Sequence, residues 1–338
     1  DAQESRGLGD VYKRQLLDFI ERVMYNKDSS CIYTVLEDWV MFGIYFGKYL
    51  QDKGILTEQQ YQEMLQEMKN ARLKLGLLAI VNGIMTEEQA EEVNQLQQMQ
   101  DRRFGDIAVE KGYMTEEQVS SLLKMQGDQY LLCVQTLTEH GYLTLEGIQK
   151  ELKMYKKDNW FSALDLDAIK SGDIDSIVPV FTKDVSIPPV MKDYMALMAR
   201  NINRFIDTDI RLEKVELINN YTAEYIASQE LEGDFNFYVG MTGDRDAVLE
   251  VASVFGREEF DQIDMDALDA VCEFLNCNNG LYASKLSEED VELELQPPVM
   301  HTEQKKIQTE GPMYKMPIYI SGKKLVLIIC LEARWQII

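Results

Sequence analysis

A 29-residue period in the glycines constrains this chain more than any other sequence feature. Gly47, Gly76 and Gly105 are each 29 residues apart, and Val134 holds the fourth position of the series. A second glycine follows each position after seven residues and a threonine after ten: Gly54, Gly83, Gly112 and Gly141, then Thr57, Thr86, Thr115 and Thr144. A short helix that ends at glycine, followed by a second helix capped by threonine, explains this spacing. We predict helix pairs stacked in series over residues 41–155, because one such pair cannot bury its own apolar stripe.

Two of the threonines begin a capping-box sequence. Thr86-Glu-Glu-Gln89 and Thr115-Glu-Glu-Gln118 each place a glutamine three residues after the threonine. In such a box the threonine oxygen accepts a hydrogen bond from the backbone, and the glutamine side chain accepts one in return. The second helix of each pair should therefore begin directly after the threonine.

The two central repeats resemble the MshEN domain, a cyclic di-GMP receptor domain related to the N-terminal domains of secretion ATPases. Both contain a 24-residue motif, and five residues separate the motifs. The residues that carry the resemblance are Lys74, Leu75, Gly76, Gln97, Arg103, Phe104, Gly105 and Gln126. The resemblance implies cyclic di-GMP as a ligand, with the cations on phosphate, backbone N–H groups at the glycines, and glutamine on a guanine edge.

Several positions depart from the MshEN pattern. Lys74 stands where the family has arginine and would lose a bidentate phosphate contact. Ala79, Ala108, Ala90 and Asn94 replace larger apolar residues, and the outer repeats have Tyr45 and Leu132 at the cationic position. The alternative interpretation is a helical solenoid that docks a protein and binds no small ligand.

The periodicity stops after residue 155. Residues 156–186 carry several aspartates and one proline, without the glycine and closing glutamate of a calcium loop. We predict a linker there, with its acids as solvated charge, and a second domain over residues 187–338.

The second domain has the pattern of an α+β fold, with long helices packed against a mostly antiparallel sheet. The predicted helices are 190–206, 244–255 and 264–286. The predicted strands are 213–219, 223–231, 234–241, 291–296, 312–320 and 323–331, with Ser321 and Gly322 as the last turn.

The longest predicted helix carries a line of polar and small residues beside its apolar stripe. Asp269, Glu273, Asn276 and Gly280 are four, three and four residues apart and share one face. Glycine inside a helix costs about 1 kcal/mol relative to alanine, which suggests close approach to the backbone at Gly280. Spacing alone favours solvated polar groups, with Gly280 at a kink or a helix-packing contact.

Glu273-Phe-Leu-Asn276 followed by Gly280 resembles the Glu-x-x-Asn signature of the CheC, CheX and FliY phosphatases. The resemblance extends over residues 187–332 and includes the Gln-Pro-Pro-Val sequence at 296–299. One signature is present, as in CheX, and Asp269 stands where a small residue is common. The family implies dephosphorylation of a CheY-like receiver, with Mg²⁺ on the receiver, Asn276 orienting water and Glu273 anchoring the receiver's lysine.

The alternative function is a non-enzymatic signalling adaptor that binds a receiver or a flagellar partner. The family also implies a homodimer, for which the apolar strands between 312 and 331 could supply the pairing edge.

The net charge limits the classes of partner, and the cysteine content indicates the cellular setting. The formal charge of −24 disfavours nucleic acids and anionic membranes, and five scattered cysteines indicate a reducing, cytoplasmic setting. Two histidines and no zinc-ligand spacing predict no metal site and no cofactor bound by this chain. Residues 4–15 look like the translation of a sequencing adapter, so we treat 1–15 as an artefact and 16–40 as a truncated segment.

Overall fold

The computed structural model describes residues 41–70, 73–100, 103–123 and 128–338. The expected adapter-derived residues 1–15 and the segment 16–40 lie outside these ranges. The described chain divides into two compact units, residues 41–177 and 178–338. In these ranges, no helix is long and apolar enough to cross a membrane.

The first unit is helical. Its helices are α1 (Met41–Asp52), α2 (Glu58–Asn70), α3 (Leu75–Val81), α4 (Glu87–Gln100), α5 (Phe104–Glu110), α6 (Glu116–Leu123), α7 (Gln129–Glu139), α8 (Leu145–Asp158) and α9 (Ala163–Ser171). The next helix, α10 (Ile174–Thr182), includes the boundary between the units.

The turns inside the helix pairs have the predicted local chemistry. Gly54, Gly83, Gly112 and Gly141 all have φ between +66° and +74°, a left-handed conformation that glycine adopts without strain. Both predicted capping boxes are confirmed. Gln89 N donates to Thr86 Oγ1 at 3.2 Å and Thr86 N to Gln89 Oε1 at 2.9 Å, and the same two bonds join Thr115 and Gln118.

Residues 156–186, predicted as a linker, contain helices α9 and α10. Asp165 completes a capping box with Ser162, and Asp173 accepts a hydrogen bond from Ser176 N at 2.9 Å. These two carboxylates cap helices, whereas the sequence predicted solvated charge. The sequence analysis did not distinguish these two roles, because an aspartate that caps a helix and an aspartate that is only a surface charge are the same residue in the sequence.

The second unit is an antiparallel sheet with helices on one face. Its helices are α11 (Pro189–Phe205), α12 (Arg245–Gly256) and α13 (Met265–Ser287). Its strands are β1 (Ile210–Leu212), β2 (Glu216–Ala223), β3 (Ile226–Gly233), β4 (Phe237–Gly243), β5 (Leu293–Leu295), β6 (Val299–His301), β7 (Lys305–Ile320), β8 (Lys323–Leu331) and β9 (Trp335–Ile337). The α+β prediction for this unit is confirmed.

The sheet has the order β1-β7-β8-β4-β3-β5, with β2 and β9 also paired to β7 and β6 to β3. Helix α13 packs on β3, β5 and β6, and α11 and α12 pack against α13. The apolar stripe predicted for α13 is buried: Leu268, Val271, Cys272, Leu275, Tyr282 and Leu286. Burial of this stripe fixes which side of α13 remains accessible.

The two apolar strands proposed as a dimer edge lie inside the sheet. Strand β8 is hydrogen-bonded to β4 on one side and β7 on the other. Strand β7 pairs with β8 and β9 on one side and with β1 and β2 along the other. The prediction that these strands offer a free edge is wrong, because tertiary pairing uses both edges of each.

Candidate functional site

Helix α13 carries the candidate site, and its register is set by its N-terminal cap. The Asp264 carboxylate accepts a hydrogen bond from Ala267 N at 3.0 Å, which fixes the first turn. Asp269 and Glu273 then lie one turn apart on the exposed side, while Asn276 is half-buried at the margin of the apolar stripe. The structure therefore places the predicted polar line on one face.

The two carboxylates of this face repel each other. Partial burial of its carboxyl raises the pKa of Glu273, and the negative charge of Asp269 raises it further. No described lysine or arginine forms an ion pair with either carboxylate. Glu273 thus presents a carboxylate that an approaching cation would stabilise.

Asn276 is held by a buried side chain from the sheet. Gln229 on β3 donates from Nε2 to Asn276 Oδ1 at 2.6 Å and to the Gln296 carbonyl at 2.8 Å. Among the described residues, none accepts a hydrogen bond from Asn276 Nδ2. The amide oxygen is therefore engaged inside the unit, and the NH₂ group remains available to a partner.

The face is open at Gly280. Apart from the backbone of its own helix, no described atom lies within 4 Å of the position that a Cβ would take at Gly280. Packing against another helix of the described chain therefore does not explain this glycine. An open Cα on the same face as Glu273 and Asn276 leaves room for another molecule to approach the helix backbone.

The cysteines beside the site are poor nucleophiles and metal ligands. Burial raises the pKa of Cys272 to about 12 and that of Cys277 to about 11, and the nearby carboxylates Asp269 and Glu273 add to these shifts. Both thiols are therefore protonated near neutral pH. Over the described ranges, no three histidine, cysteine or acidic side chains cluster in a way that would hold a metal ion.

One comparison with known proteins identifies a family for part of the second unit. Residues 225–321, which include α13, match the family model described as "Chemotaxis phosphatase CheX". The second unit contains a CheX domain. No match was found among curated protein sequences.

Solved structures similar to this chain include CheX and CheC-like proteins. The chemotaxis protein CheX from Desulfovibrio desulfuricans is 17% identical, with 43% of this chain and 100% of that chain covered and a TM-score of 0.38. A CheC-like superfamily protein from Shewanella sp. PV-4 is 15% identical, with coverage of 44% and 99% and a TM-score of 0.39. The CheX–CheY–BeF3–Mg complex from Borrelia burgdorferi is 16% identical, with coverage of 42% and 97% and a TM-score of 0.36.

In the first unit, neighbouring side chains occupy the space beside the two glycines that were predicted to bind nucleotide. A Cβ on Gly76 would lie 3.0 Å from the Phe104 ring, and one on Gly105 would lie 3.0 Å from Val119 and 3.4 Å from Leu75. These contacts bring the two motifs together. They also give both glycines a packing role.

The cations of the two motifs differ in their surroundings. Lys74 and Arg103 are both exposed and each directly precedes a helix. The Lys74 ammonium lies 2.8 Å from the Glu139 carboxylate, whereas no described acid forms an ion pair with Arg103. Gln97 lies on α4, and Gln126 lies outside the described residues.

Sequence reasoning missed Gln229, Asn279 and Tyr194, which lie behind Asn276. Gln229 occupies an inward position of β3 between Ala227 and Leu231, where an apolar residue is expected. A buried amide at an inward strand position was the signal that could have found it.

Proposed function

We propose that the second unit dephosphorylates the aspartyl phosphate of a CheY-like receiver domain. The supporting observation is the accessible face of α13, where an unpaired Glu273, the fixed amide of Asn276 and the open Gly280 lie together. These residues fall within the segment that matches the chemotaxis phosphatase model. The same face would serve a non-enzymatic adaptor, so a measured rate must separate the two.

The reaction requires placement more than covalent chemistry. Water forms a bond to phosphorus while the bond to the aspartyl carboxylate oxygen breaks, which releases phosphate and the free carboxylate. A Mg²⁺ ion on the receiver would neutralise phosphoryl charge. Asn276 contributes by holding the water in line without adding negative charge, since an amide is neutral and can hydrogen-bond water.

Glu273 suits an anchoring role. A carboxylate next to a phosphoryl group is unfavourable unless a cation lies between them. The nearest described charge on its own helix, Asp269, is also negative. A lysine of the receiver would therefore be attracted to Glu273 by both carboxylates, and the ion pair would orient the receiver over Asn276.

The deciding experiment follows loss of label from a ³²P-phosphorylated CheY-like receiver with and without the full chain. We expect faster loss in its presence. A chain that binds the phosphorylated receiver but leaves the hydrolysis rate at the receiver's own value would support the adaptor and reject the phosphatase.

For the first unit we propose cyclic di-GMP as a regulatory ligand. Support comes from the contacts of Leu75 with Gly105 and Phe104 with Gly76, which place the two motifs side by side, and from the exposed Lys74 and Arg103. Because both glycines are covered by packing, the phosphate groups would be bound by the side chains that begin the two motifs, Lys74 and Arg103.

Titration calorimetry of the full chain tests this ligand. Arg103→Ala should weaken binding about tenfold, and Lys74→Ala less, since only arginine offers a bidentate contact and Lys74 is paired with Glu139. Lys111→Ala, which removes an exposed cation paired with Glu92, is the control. No heat at about 100 μM ligand, equivalent to about −5.5 kcal/mol, would favour the protein-docking solenoid.

A further inference from the structure

A chain of buried hydrogen bonds runs from helix α11 to the candidate site. The Tyr194 hydroxyl donates to Asn279 Oδ1 at 2.5 Å, and Asn279 Nδ2 donates to Gln229 Oε1 at 2.8 Å. Gln229 Nε2 donates to Asn276 Oδ1 at 2.6 Å. Tyr194 and Asn279 are fully buried and Gln229 is 2% exposed, so the chain reaches solvent only at Asn276.

The direction of every bond in this chain is set by one backbone group. The Gln296 carbonyl can only accept, so Gln229 must point its Nε2 toward it, at 2.8 Å. That orientation turns Gln229 Oε1 toward Asn279 and directs the second Nε2 hydrogen to Asn276. Asn276 can meet this donor only with its oxygen, so its NH₂ group must face outward.

The tyrosine at the far end reinforces the same polarity. Asn279 must use its Nδ2 on Gln229 Oε1, which leaves its oxygen as the acceptor for the Tyr194 hydroxyl. Reversing any one amide would bring two donors or two acceptors together in a buried setting, which costs about 1–3 kcal/mol. The network therefore has one stable orientation.

Burial of these amides is costly unless each is satisfied, and apolar side chains would fill the same space without that requirement. The network joins α11, α13, β3 and the Gln296 carbonyl before the two prolines, and it ends on the half-exposed Asn276. A network that served packing alone would have no reason to end on an accessible amide of the candidate site.

We propose that Gln229 is a positioning residue that fixes the Asn276 amide with its NH₂ group toward the bound receiver. This inference rests on the proposed function and adds the polarity of the contact: Asn276 meets water or a phosphoryl oxygen as a hydrogen-bond donor. Gln229 touches neither the receiver nor the reacting atoms and acts only through Asn276.

A measurement without any receiver tests the orientation. Asparagine-selective ¹⁵N labelling gives the side-chain NH₂ signals of the full chain, and Asn276→Ala assigns the one from Asn276. In Gln229→Leu we expect this signal to move toward its free-amide position and to gain mobility. Ser228→Ala is the matched control, because Ser228 is buried on the same strand and also donates to a carbonyl, that of Val299. An unchanged Asn276 signal in Gln229→Leu would overturn the proposal.

A second measurement uses the labelled receiver. Gln229→Leu should lower the rate constant of hydrolysis at saturating chain by about 10- to 100-fold, the size of effect expected when a reacting group is misplaced by about 1 Å. Receiver affinity should change less than twofold, and Ser228→Ala should change neither. Equal rates for Gln229→Leu and wild type would reject the positioning role while leaving the phosphatase intact.

Gln229→Glu provides a test that a merely structural role would not pass. A protonated glutamic acid can replace one of the two hydrogen bonds that Gln229 Nε2 donates, whereas the ionised form can replace neither and would accept one from Asn276 Nδ2, and burial raises its pKa. Hydrolysis by this variant should therefore recover in part as pH falls, relative to wild type at the same pH. A flat ratio would contradict the proposal, and this variant also replaces Gln229→Leu if the leucine variant does not fold. If wild type shows no hydrolysis, the proposed function fails while the NMR result still decides the orientation.

Discussion

Glycine is used in opposite ways in the two units. In the first unit, the Cα faces of Gly76 and Gly105 are covered by Phe104 and Val119, so the missing Cβ allows helices to pack closely. In the second unit, Gly280 faces open space on α13. Gly76 and Gly105 lie in the first turns of α3 and α5, whereas Gly280 lies inside α13, where glycine costs about 1 kcal/mol relative to alanine. Close packing accounts for the first two glycines, whereas no described side chain packs at Gly280.

The largest effect should come from removing the amide beside the open glycine. Asn276→Ala should lower receiver hydrolysis by roughly 100- to 1,000-fold, the range for loss of one polar transition-state contact. Receiver affinity should survive, because anchoring is assigned to Glu273. Single-turnover assays and titration of the phosphorylated receiver measure the two quantities. Full activity in this variant would show that the Asn276 amide does not contribute to hydrolysis.

Adding the same side chain at both kinds of glycine tests the comparison directly. Gly76→Leu should destabilise the first unit by roughly 1–3 kcal/mol, because the Phe104 ring occupies the space. Gly280→Leu should leave the second unit folded but block receiver binding and hydrolysis. Hydrogen exchange of peptides from α3 and α13 reports local stability in each variant. Matching destabilisation at the two sites would show that Gly280 is also needed for folding.

Glu273→Gln should change binding and stability in opposite directions. Receiver affinity should fall roughly 5- to 10-fold through loss of an interfacial ion pair, and salt should weaken wild-type binding more than that of the variant. Titration at about 50 and 300 mM salt measures this difference. Equal salt dependence in the two proteins would argue against an anchoring carboxylate.

The stability of the same variant depends on pH. Because the pKa of Glu273 is raised, the folded chain holds this proton more tightly than the unfolded chain. Wild-type stability is therefore lost as pH rises from the ordinary glutamate pKa through the raised value. Glu273→Gln should melt at a higher temperature than wild type at pH 7, and the gap should close as pH falls. A gap that widens at low pH would contradict the sign of the shift.

The smallest effect is expected from a single methyl group. Gly280→Ala should stabilise the second unit by about 1 kcal/mol, since no described atom opposes the added Cβ and alanine favours helix. Receiver binding should fall slightly, in proportion to how closely the partner approaches. Chemical unfolding and the same titration provide both values.

Local signals predicted the second unit well where a strand is buried on both faces. Strand 323–331 was predicted with the bounds it has, because an apolar run follows the Ser321-Gly322 turn, both residues of which have positive φ. The first half of β7 was missed, since Lys305 to Glu310 is mostly polar and becomes strand only through pairing with β2 and β9. Pairing partners distant in sequence override weak local preference.

Only the part of the site that lies on helix α13 could be predicted from the sequence. The face shared by Glu273 and Asn276 follows from spacing, which is local. Gln229 lies 47 residues before Asn276 in the chain, and its hydrogen bond depends on how β3 packs beneath α13. The side chains that pack against Gly76 and Gly105 could not be predicted either, because the spacing of the repeat locates a glycine but not its neighbours in the fold.

The position of β8 between β4 and β7 has a consequence for folding kinetics. Val239 on β4 pairs with Ile329 on β8, a separation of 90 residues, whereas β7 and β8 form a local hairpin. The β3–β4 hairpin, which carries Gln229, therefore keeps an uncovered apolar edge until the distant hairpin docks. Such long-range closure slows folding and exposes a pairing edge to other chains. Refolding yield should accordingly fall with protein concentration.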